Sequence, residues 1–165
     1  MDILPDVLQP NLRIVFCGMA AGNRSAKLSA YYAGIGNKFW KILYDSGLTS
    51  TLMSPREYRF IVNHNLGLTD LVKNSCGNDS AITPTSEDIE ILRDKILLYR
   101  PKILAFTGKQ SAKCFLGRNV EYGLQGERVG LTRICVLPST STQAMHYWNE
   151  KYWHELARNS WGSTV

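Results

Sequence analysis

Apolar residues in this chain gather into four short continuous runs instead of alternating with polar residues. The runs lie at residues 12–17, 66–72, 102–106 and 131–137. Continuous apolar runs of this length, bounded by glycine or proline, are typical of strands that are buried on both faces. The pattern therefore predicts four strands of a central, mainly parallel sheet.

Helical patterns separate the predicted strands. Asn37 is a candidate N-cap for the first helix, and Thr85 or Ser86 caps a strongly amphipathic one. Strands that alternate with helices indicate a three-layer α/β/α sandwich, here an α/β domain spanning residues 1–165. The predicted helical stretches lie near residues 38–46, 55–63, 86–99, 109–116 and 144–159.

A ligand site is expected where the parallel strands end, because open α/β sheets bind ligands outside the carboxyl ends of their strands. This rule brings together residues 18–32, 68–73, 107–109 and 139–144. The glycine-containing loop after residue 17 lacks both the dinucleotide fingerprint and the Gly-Lys-Ser/Thr ending of a phosphate loop. Nucleotide hydrolysis is therefore disfavoured, whereas a flavodoxin-like small-molecule site stays open as an alternative.

Charge and cysteine usage narrow the choice of partners. The net charge of +5 and a pI near 9.1 favour an acidic partner, most commonly nucleic acid. The N-terminus lacks the basic start and the following apolar stretch of a secretory signal, so we do not expect one. No apolar run is long enough to span a membrane. We expect a cytoplasmic, nucleoid-associated protein without cofactor or metal, because no close cysteine pair occurs among Cys17, Cys76, Cys114 and Cys135.

Short motifs at the predicted site resemble a known family. The first motif combines Val15-Phe16-Cys17-Gly18, the spacing to Gly22, and Gly36-Asn37-Lys38-Phe39-Trp40. Three more follow in order: Gly67-Leu68-Thr69-Asp70-Leu71-Val72, Gly108-Lys109-Gln110-Ser111-Ala112, and Val136-Leu137-Pro138-Ser139. Together they resemble the uracil-DNA glycosylase superfamily, in particular its mismatch-specific uracil/thymine branch, over roughly residues 2–157.

The resemblance implies an enzyme of base-excision DNA repair. Such an enzyme flips a uracil, or another deaminated or mismatched base, out of the DNA and hydrolyses its N-glycosidic bond, which leaves an abasic site. It implies a monofunctional hydrolase that acts as a monomer, without cofactor, on duplex or single-stranded DNA. The sequence offers no lysine as an obvious imine-forming nucleophile, so strand cleavage is not expected.

The first motif supplies the residues that the resemblance implies for base binding. The loop at Gly18, with the backbone of Met19 and Ala20, should approach the carbonyl edge of the base, and Tyr32 should stack on its ring. Relatives usually carry asparagine where this chain has Ala20, and they use it to position the hydrolytic water. A methyl group cannot form that hydrogen bond. Either another polar group holds the water, or catalysis relies on electrostatics and strain, or the protein binds DNA without cutting it.

Asp70 is the candidate replacement, because it follows the second predicted strand at the site edge and a carboxylate can orient water. An equally weighted alternative makes it the N-cap of a following helix. Asn23 is a lesser catalytic candidate. Asn37 is a candidate for base binding, although helix capping is the more common role for an asparagine at such a position.

The polar loop after the fourth strand resembles the second motif of the family, which grips DNA. The resemblance implies base and phosphate contacts at Ser139, which begins the motif. Relatives have asparagine or histidine there, and because serine is smaller we expect a weaker contact with the base. Gln143 falls at the position that fills the vacated base stack. The other predicted DNA contacts, which include basic and hydroxyl side chains, are Ser25, Lys109, Thr140, Ser141 and Thr142.

A second function stays open at this point. The same pocket could recognise abasic or damaged DNA after the loss of hydrolysis, and Ala20 is the residue that supports this alternative. Release of a base distinguishes an enzyme from such a binder.

Overall fold

A five-stranded sheet forms the centre of the computed structural model, which describes residues 1–161. Its strand order is β2-β1-β3-β5-β4; β1, β2, β3 and β5 run parallel, and β4 runs antiparallel to β5. The mainly parallel α/β prediction is therefore confirmed. The strands are β1 (Ile14–Gly18), β2 (Leu66–Asp70), β3 (Ile103–Phe106), β4 (Gly123–Val129) and β5 (Thr132–Val136).

The predicted number of four strands is wrong, because β4 was missed. This strand has the sequence GLQGERV, and its middle residues are exposed at the sheet edge. An edge strand pairs on one side only and is commonly kept polar, so it shows no continuous apolar run. A turn at Gly130, whose φ is +59°, joins β4 to β5.

Helices and 3₁₀ segments connect the strands. The helices are α1 (Asn23–Leu28), α2 (Phe39–Asp45), α3 (Ser86–Tyr99), α4 (Lys109–Leu116) and α5 (Lys151–Ser160). The stretch predicted after Pro55 is a 3₁₀ helix over Pro55–His64, and a separate 3₁₀ segment, Thr142–Tyr147, precedes α5. None of the helices described within residues 1–161 is long and apolar enough to cross a membrane.

Two apolar layers cover the sheet, as the sandwich prediction requires. Ile14 and Phe16 belong to the layer that contains α2 and the fully buried Trp153 of α5. Val15 and Cys17 belong to the opposite layer, which contains α3 and α4. Successive side chains of a strand point to opposite faces, so a continuous apolar run in β1 supplies both cores at once.

The N-terminal segment, residues 3–7, runs along the outer edge of β2. Val7 and Leu68 exchange two backbone hydrogen bonds of 2.9 Å, and the Ile3 amide donates to the Lys73 carbonyl at 2.7 Å. These contacts satisfy backbone groups that an edge strand would otherwise expose. The segment also carries Asp6 to the exit of β2, beside the candidate active site.

Candidate active site

Three polar groups meet at the end of β1. Gly18 is the register partner of Asp70 in β2, and Thr107 directly follows β3. A Cβ atom built on Gly18 would lie 3.0 Å from the Asp70 Oδ1, 3.4 Å from the Tyr32 Oη and 3.5 Å from the Thr107 Oγ1. A side chain at this position would force the Asp70 carboxylate to shift, so glycine lets these polar groups approach one another between the ends of β1, β2 and β3. We call the place where they meet the cleft.

This cleft lies at the topological switch point of the sheet. The chain adds β2 on one side of β1 and β3 on the other. The connections that leave neighbouring strands there diverge to opposite faces, which opens a crevice at their carboxyl ends. The strand ends that were predicted to meet at one edge of the sheet do so.

Asp70 is buried at the floor of the cleft, with 5% of its surface exposed. Burial disfavours the charged carboxylate and raises its pKa to about 6, although the positive charge of Lys73 opposes that shift. The capping alternative does not fit, because Asp70 is the last residue of β2 and the next helical segment begins at Asp79. When ionised, the carboxylate can accept a hydrogen bond from water.

Tyr32 forms one wall of the cleft. Its ring stacks on Phe39, with 3.9 Å between ring centroids and 16° between ring planes, and its Oη lies 2.9 Å from the Thr107 Oγ1. Its φ of +52° is in the left-handed region, which is uncommon for a residue other than glycine. The structure thus holds Tyr32, a partly exposed residue, with one ring face against Phe39 and its hydroxyl near the Asp70 carboxylate.

The loop after β1 contributes backbone rather than side chains. Met19 is only 2% exposed, and its side chain packs in the apolar layer that contains α3 and α4. The carbonyls of Gly18 and Met19 accept hydrogen bonds from Leu71 and Val72 at 2.9 and 2.8 Å. Ala20 is partly exposed and carries no polar side-chain atom, so its side chain cannot hold a water molecule.

Three predicted site residues, Asn23, Ser25 and Asn37, either lie on the surface or form hydrogen bonds within their own loop. Asn23 is the exposed first residue of α1. Ser25 is buried, and its Oγ accepts a hydrogen bond from the Ala33 amide at 3.0 Å. Asn37 accepts one from the Phe39 amide at 3.0 Å. These positions favour loop and helix-end stabilisation over the base and DNA contacts predicted for Ser25 and Asn37.

The loop over residues 139–143 forms the outer rim of the site. The Ser139 Cβ lies 3.8 Å from a Cβ built on Gly108, next to the start of α4. The Ser139 Oγ accepts from the Ser141 amide at 3.2 Å, and the Ser141 Oγ accepts from the Gln143 amide at 3.3 Å. Successive hydroxyl-to-amide bonds shape a turn whose tip, including Gln143, is exposed.

Contacts with the first motif fix the position of this rim. Thr140 is 2% exposed, and its carbonyl accepts from the Lys38 amide at 3.0 Å. The Thr142 methyl lies 2.9 Å from a Cβ built on Gly36, whose φ of +77° favours glycine. Lys109, at the start of α4, places its Nζ 4.5 Å from the Tyr122 ring centroid. The two motif regions therefore form one continuous surface.

Several residues at the site were not selected from the sequence. Thr107 lies in a segment that was assigned to the site edge, but its hydroxyl partner Tyr32 is 75 residues away in the chain. Phe39 belongs to the first motif, but the sequence did not indicate that its ring would support Tyr32. Asp6 gave no signal, because its contacts with Thr69, Lys73 and Lys95 depend on the tertiary fold.

No group of three or more histidine, cysteine, aspartate or glutamate residues within positions 1–161 is arranged to hold a metal ion. The polar groups of the cleft are a carboxylate, hydroxyls and backbone amides. This set suits the orientation of water and the binding of a polar heterocycle.

The fold and cleft are those of an α/β protein with a site at the switch point of its sheet, and comparison with known families makes the class specific. A sequence model of the uracil DNA glycosylase superfamily matches residues 5–161. The chain belongs to this superfamily. A role as a DNA glycosylase, a hydrolase that acts on DNA, follows from that membership.

A solved structure shows the same fold. It is the solution NMR structure of a proposed uracil DNA glycosylase from Methanosarcina acetivorans, which is 20% identical in sequence. The match covers 95% of this chain and 96% of that chain, with a TM-score of 0.63. The shared architecture therefore extends over nearly the whole of both chains.

Proposed function

We propose that this chain is a monofunctional DNA N-glycosylase of the mismatch-specific branch, which acts as a monomer on uracil or another deaminated or mismatched base. The observation that carries the proposal is the Asp70 carboxylate, which is buried at the switch-point cleft beside Gly18 and the Tyr32 ring. A base that is flipped out of DNA would enter this cleft.

Base binding uses the ring and the loop backbone. The Tyr32 ring is fixed from behind by Phe39 and from its edge by Thr107, so a base stacks on it without further ordering of the side chain. Stacking on an aromatic ring contributes about 1–3 kcal/mol per base. The amides of Met19 and Ala20 would donate hydrogen bonds to the carbonyl edge of the base.

Hydrolysis replaces the bond between the base nitrogen and the sugar carbon C1′ with a bond from water to C1′. The bonding electron pair leaves with the base, and positive charge develops on the sugar. Ionised Asp70 orients the attacking water, accepts its proton and stabilises the sugar cation. This role replaces the water-holding asparagine whose place Ala20 occupies.

DNA binding would use the rim formed by residues 139–143 together with Lys109. The hydroxyls of Ser139, Ser141 and Thr142 can donate hydrogen bonds to flanking phosphates, whereas Thr140 is buried. The exposed Gln143 would fill the space that the flipped base leaves. Ser139 reaches less far than asparagine or histidine, so we expect a broader choice of bases.

The environment of Lys73 supports a monofunctional reaction. Lys73 is three residues beyond Asp70, but its Nζ lies 2.8 Å from the Asp6 Oδ1 and donates to the Tyr31 Oη at 3.1 Å. A protonated, paired amine is a poor nucleophile. Water is thus the expected nucleophile, and an intact abasic strand is the expected product.

The second candidate function is recognition of abasic or damaged DNA without hydrolysis, which Ala20 favours. The deciding experiment is single-turnover incubation of labelled duplexes that carry uracil, hypoxanthine or xanthine opposite each partner base, followed by alkaline cleavage. Base release from any duplex supports the enzyme and names its substrate. Tight binding of abasic DNA with no release from any duplex would replace the enzyme by a binder.

A further inference from the structure

A partly buried ionic cluster lies directly behind the candidate active site. Asp6 places its Oδ1 2.8 Å from the Lys73 Nζ and its Oδ2 2.6 Å from the Lys95 Nζ. The Thr69 hydroxyl donates to the same Oδ1 at 2.7 Å. The side chains of Asp6, Lys73 and Lys95 are only 19%, 11% and 20% exposed. Charges that are so little solvated interact strongly, and their arrangement affects neighbouring groups.

The cluster fixes the position of the Lys73 ammonium. Besides Asp6, this ammonium contacts the Tyr31 Oη at 3.1 Å, and the Tyr31 hydroxyl donates to the Pro5 carbonyl at 3.1 Å. The Ile3 amide donates to the Lys73 carbonyl at 2.7 Å. The N-terminal segment therefore holds both the backbone and the side chain of Lys73.

This placement has a consequence for Asp70. Lys73 follows Asp70 by three residues at the exit of β2, yet its ion pair is with Asp6, and the structure gives none with Asp70 among the described residues. A lysine paired with Asp70 would neutralise the carboxylate and occupy the oxygen that water needs.

We propose that Asp6 and Lys73 are positioning residues of the active site: the N-terminal segment ties the Lys73 ammonium to Asp6, so that the Asp70 carboxylate stays free for water and substrate. The role assigned to Asp70 in this inference rests on the proposed function. Asp6 and Lys73 act through Asp70 and need not touch the DNA.

Charged and titratable groups from several elements act on Asp70. Lys73 at the exit of β2 favours its ionised form, and Lys95 of α3 does so more weakly. Asp6 of the N-terminal segment and Asp79, which begins a 3₁₀ segment (Asp79–Ala81), disfavour it. The neutral Tyr32 hydroxyl also lies beside it, and burial raises the pKa of this hydroxyl well above its usual range. Burial likewise raises the pKa of the Cys17 thiol, which lies in the apolar layer on the opposite face of the sheet. Asp6 and Lys73 therefore act on Asp70 with opposite signs.

Opposite signs give the proposal a sharp test. Asp6→Asn removes a negative charge and leaves Lys73 without its carboxylate partner, so the pKa of Asp70 should fall. Lys73→Met removes the strongest favourable charge, so this pKa should rise. We expect the pKa of Asp70 to shift by about half a unit in each direction. At about pH 5, base release relative to its plateau rate should then be about threefold faster in Asp6→Asn and about threefold slower in Lys73→Met.

The experiment has two readouts. Carbon-13 NMR titration of the Asp70 carboxyl in the free protein reports its pKa without any catalysis, and the pH profile of single-turnover base release reports its use. Asp45→Asn is the matched control, since Asp45 pairs with Lys41 on the surface of α2, and it should change neither profile. Thermal melting of each variant establishes that it is folded.

Opposite shifts of the NMR titration in the two variants support the proposal. Equal titration curves, or shifts in the same direction, overturn it, because charges of opposite sign that act on Asp70 must shift its pKa in opposite directions. If the wild-type protein releases no base, the proposed function fails, and the NMR titration still decides whether the cluster controls Asp70. Lys95→Met should show a smaller shift in the direction of Lys73→Met; a larger one would contradict the role given to Lys73.

Discussion

The floor and the rim of the site are built in different ways. The floor consists of Gly18, Asp70 and Thr107, all buried and all placed by the ends of parallel strands. The rim over residues 139–143 is a turn shaped by side-chain hydroxyls, with an exposed tip at Gln143. Bond hydrolysis needs a fixed, water-poor setting for charge, whereas DNA contacts tolerate exposure. The floor should therefore determine the rate, and the rim should determine DNA engagement.

The largest effect is expected from Asp70→Asn. Asparagine keeps the shape of the side chain but cannot accept the proton of water, so single-turnover base release should fall by about 10²–10⁴-fold. Binding of abasic duplex should stay nearly unchanged, because the rim is intact. Release at the wild-type rate would remove Asp70 from the chemistry, and the surface variant Asp45→Asn is the control.

The same substitution should stabilise the protein. The pKa of Asp70 is about 6 in the folded protein, against an ordinary value of 3.8, so folding loses stability as the pH rises through this window. Asparagine avoids that loss. At about pH 8 we expect the free energy of unfolding of Asp70→Asn to exceed that of the wild type by on the order of 1–3 kcal/mol. Below about pH 4 the two should differ little. Urea unfolding at both pH values measures this; a destabilised variant at pH 8 would argue against a strained, buried carboxylate.

Gly18→Ala tests whether the floor requires an open point. The added methyl would lie 3.0 Å from the Asp70 Oδ1, so the carboxylate must move by a few tenths of an ångström. Displacement of a catalytic group costs up to about 10²-fold in rate. Gly22→Ala is a matched control, because a Cβ there meets no atom within 4 Å. Equal base-release rates in the two variants would refute the close approach at Gly18.

The smallest effect is expected at the rim. Gln143→Ala removes an exposed side chain at the tip, and base release from duplex DNA should fall by about tenfold or less. Release from single-stranded DNA should not change, because no vacated stack has to be filled there. A loss as large as that of Asp70→Asn would reverse the division between floor and rim.

The floor was more predictable from sequence than its surroundings. The apolar runs before Gly18 and Asp70 predict parallel strands, and parallel strands bring their carboxyl ends to one edge. The position of Tyr32 was predicted by family resemblance alone. Its φ of +52° and its stack on Phe39 depend on contacts that no local pattern encodes.

Other elements were hidden for physical reasons. The edge strand β4 lacks an apolar run because only one of its sides is paired. Helix α1 has six residues, NRSAKL, with little helical periodicity. Asp6 contacts Lys73 and Lys95 across the tertiary fold. Charged residues that are distant in sequence form no short-range pattern from which their pairing could be predicted. The groups proposed to control Asp70 are therefore visible only in the structure.

The most direct test of the account is the pH dependence of single-turnover base release by the wild-type protein. An ionised Asp70 that orients water predicts a rate that rises with pH and levels off above a midpoint near 6. The residual activity of Asp70→Asn should lack this limb. A wild-type rate that is constant between about pH 5 and 8, or a limb that persists in Asp70→Asn, would contradict the central role of Asp70.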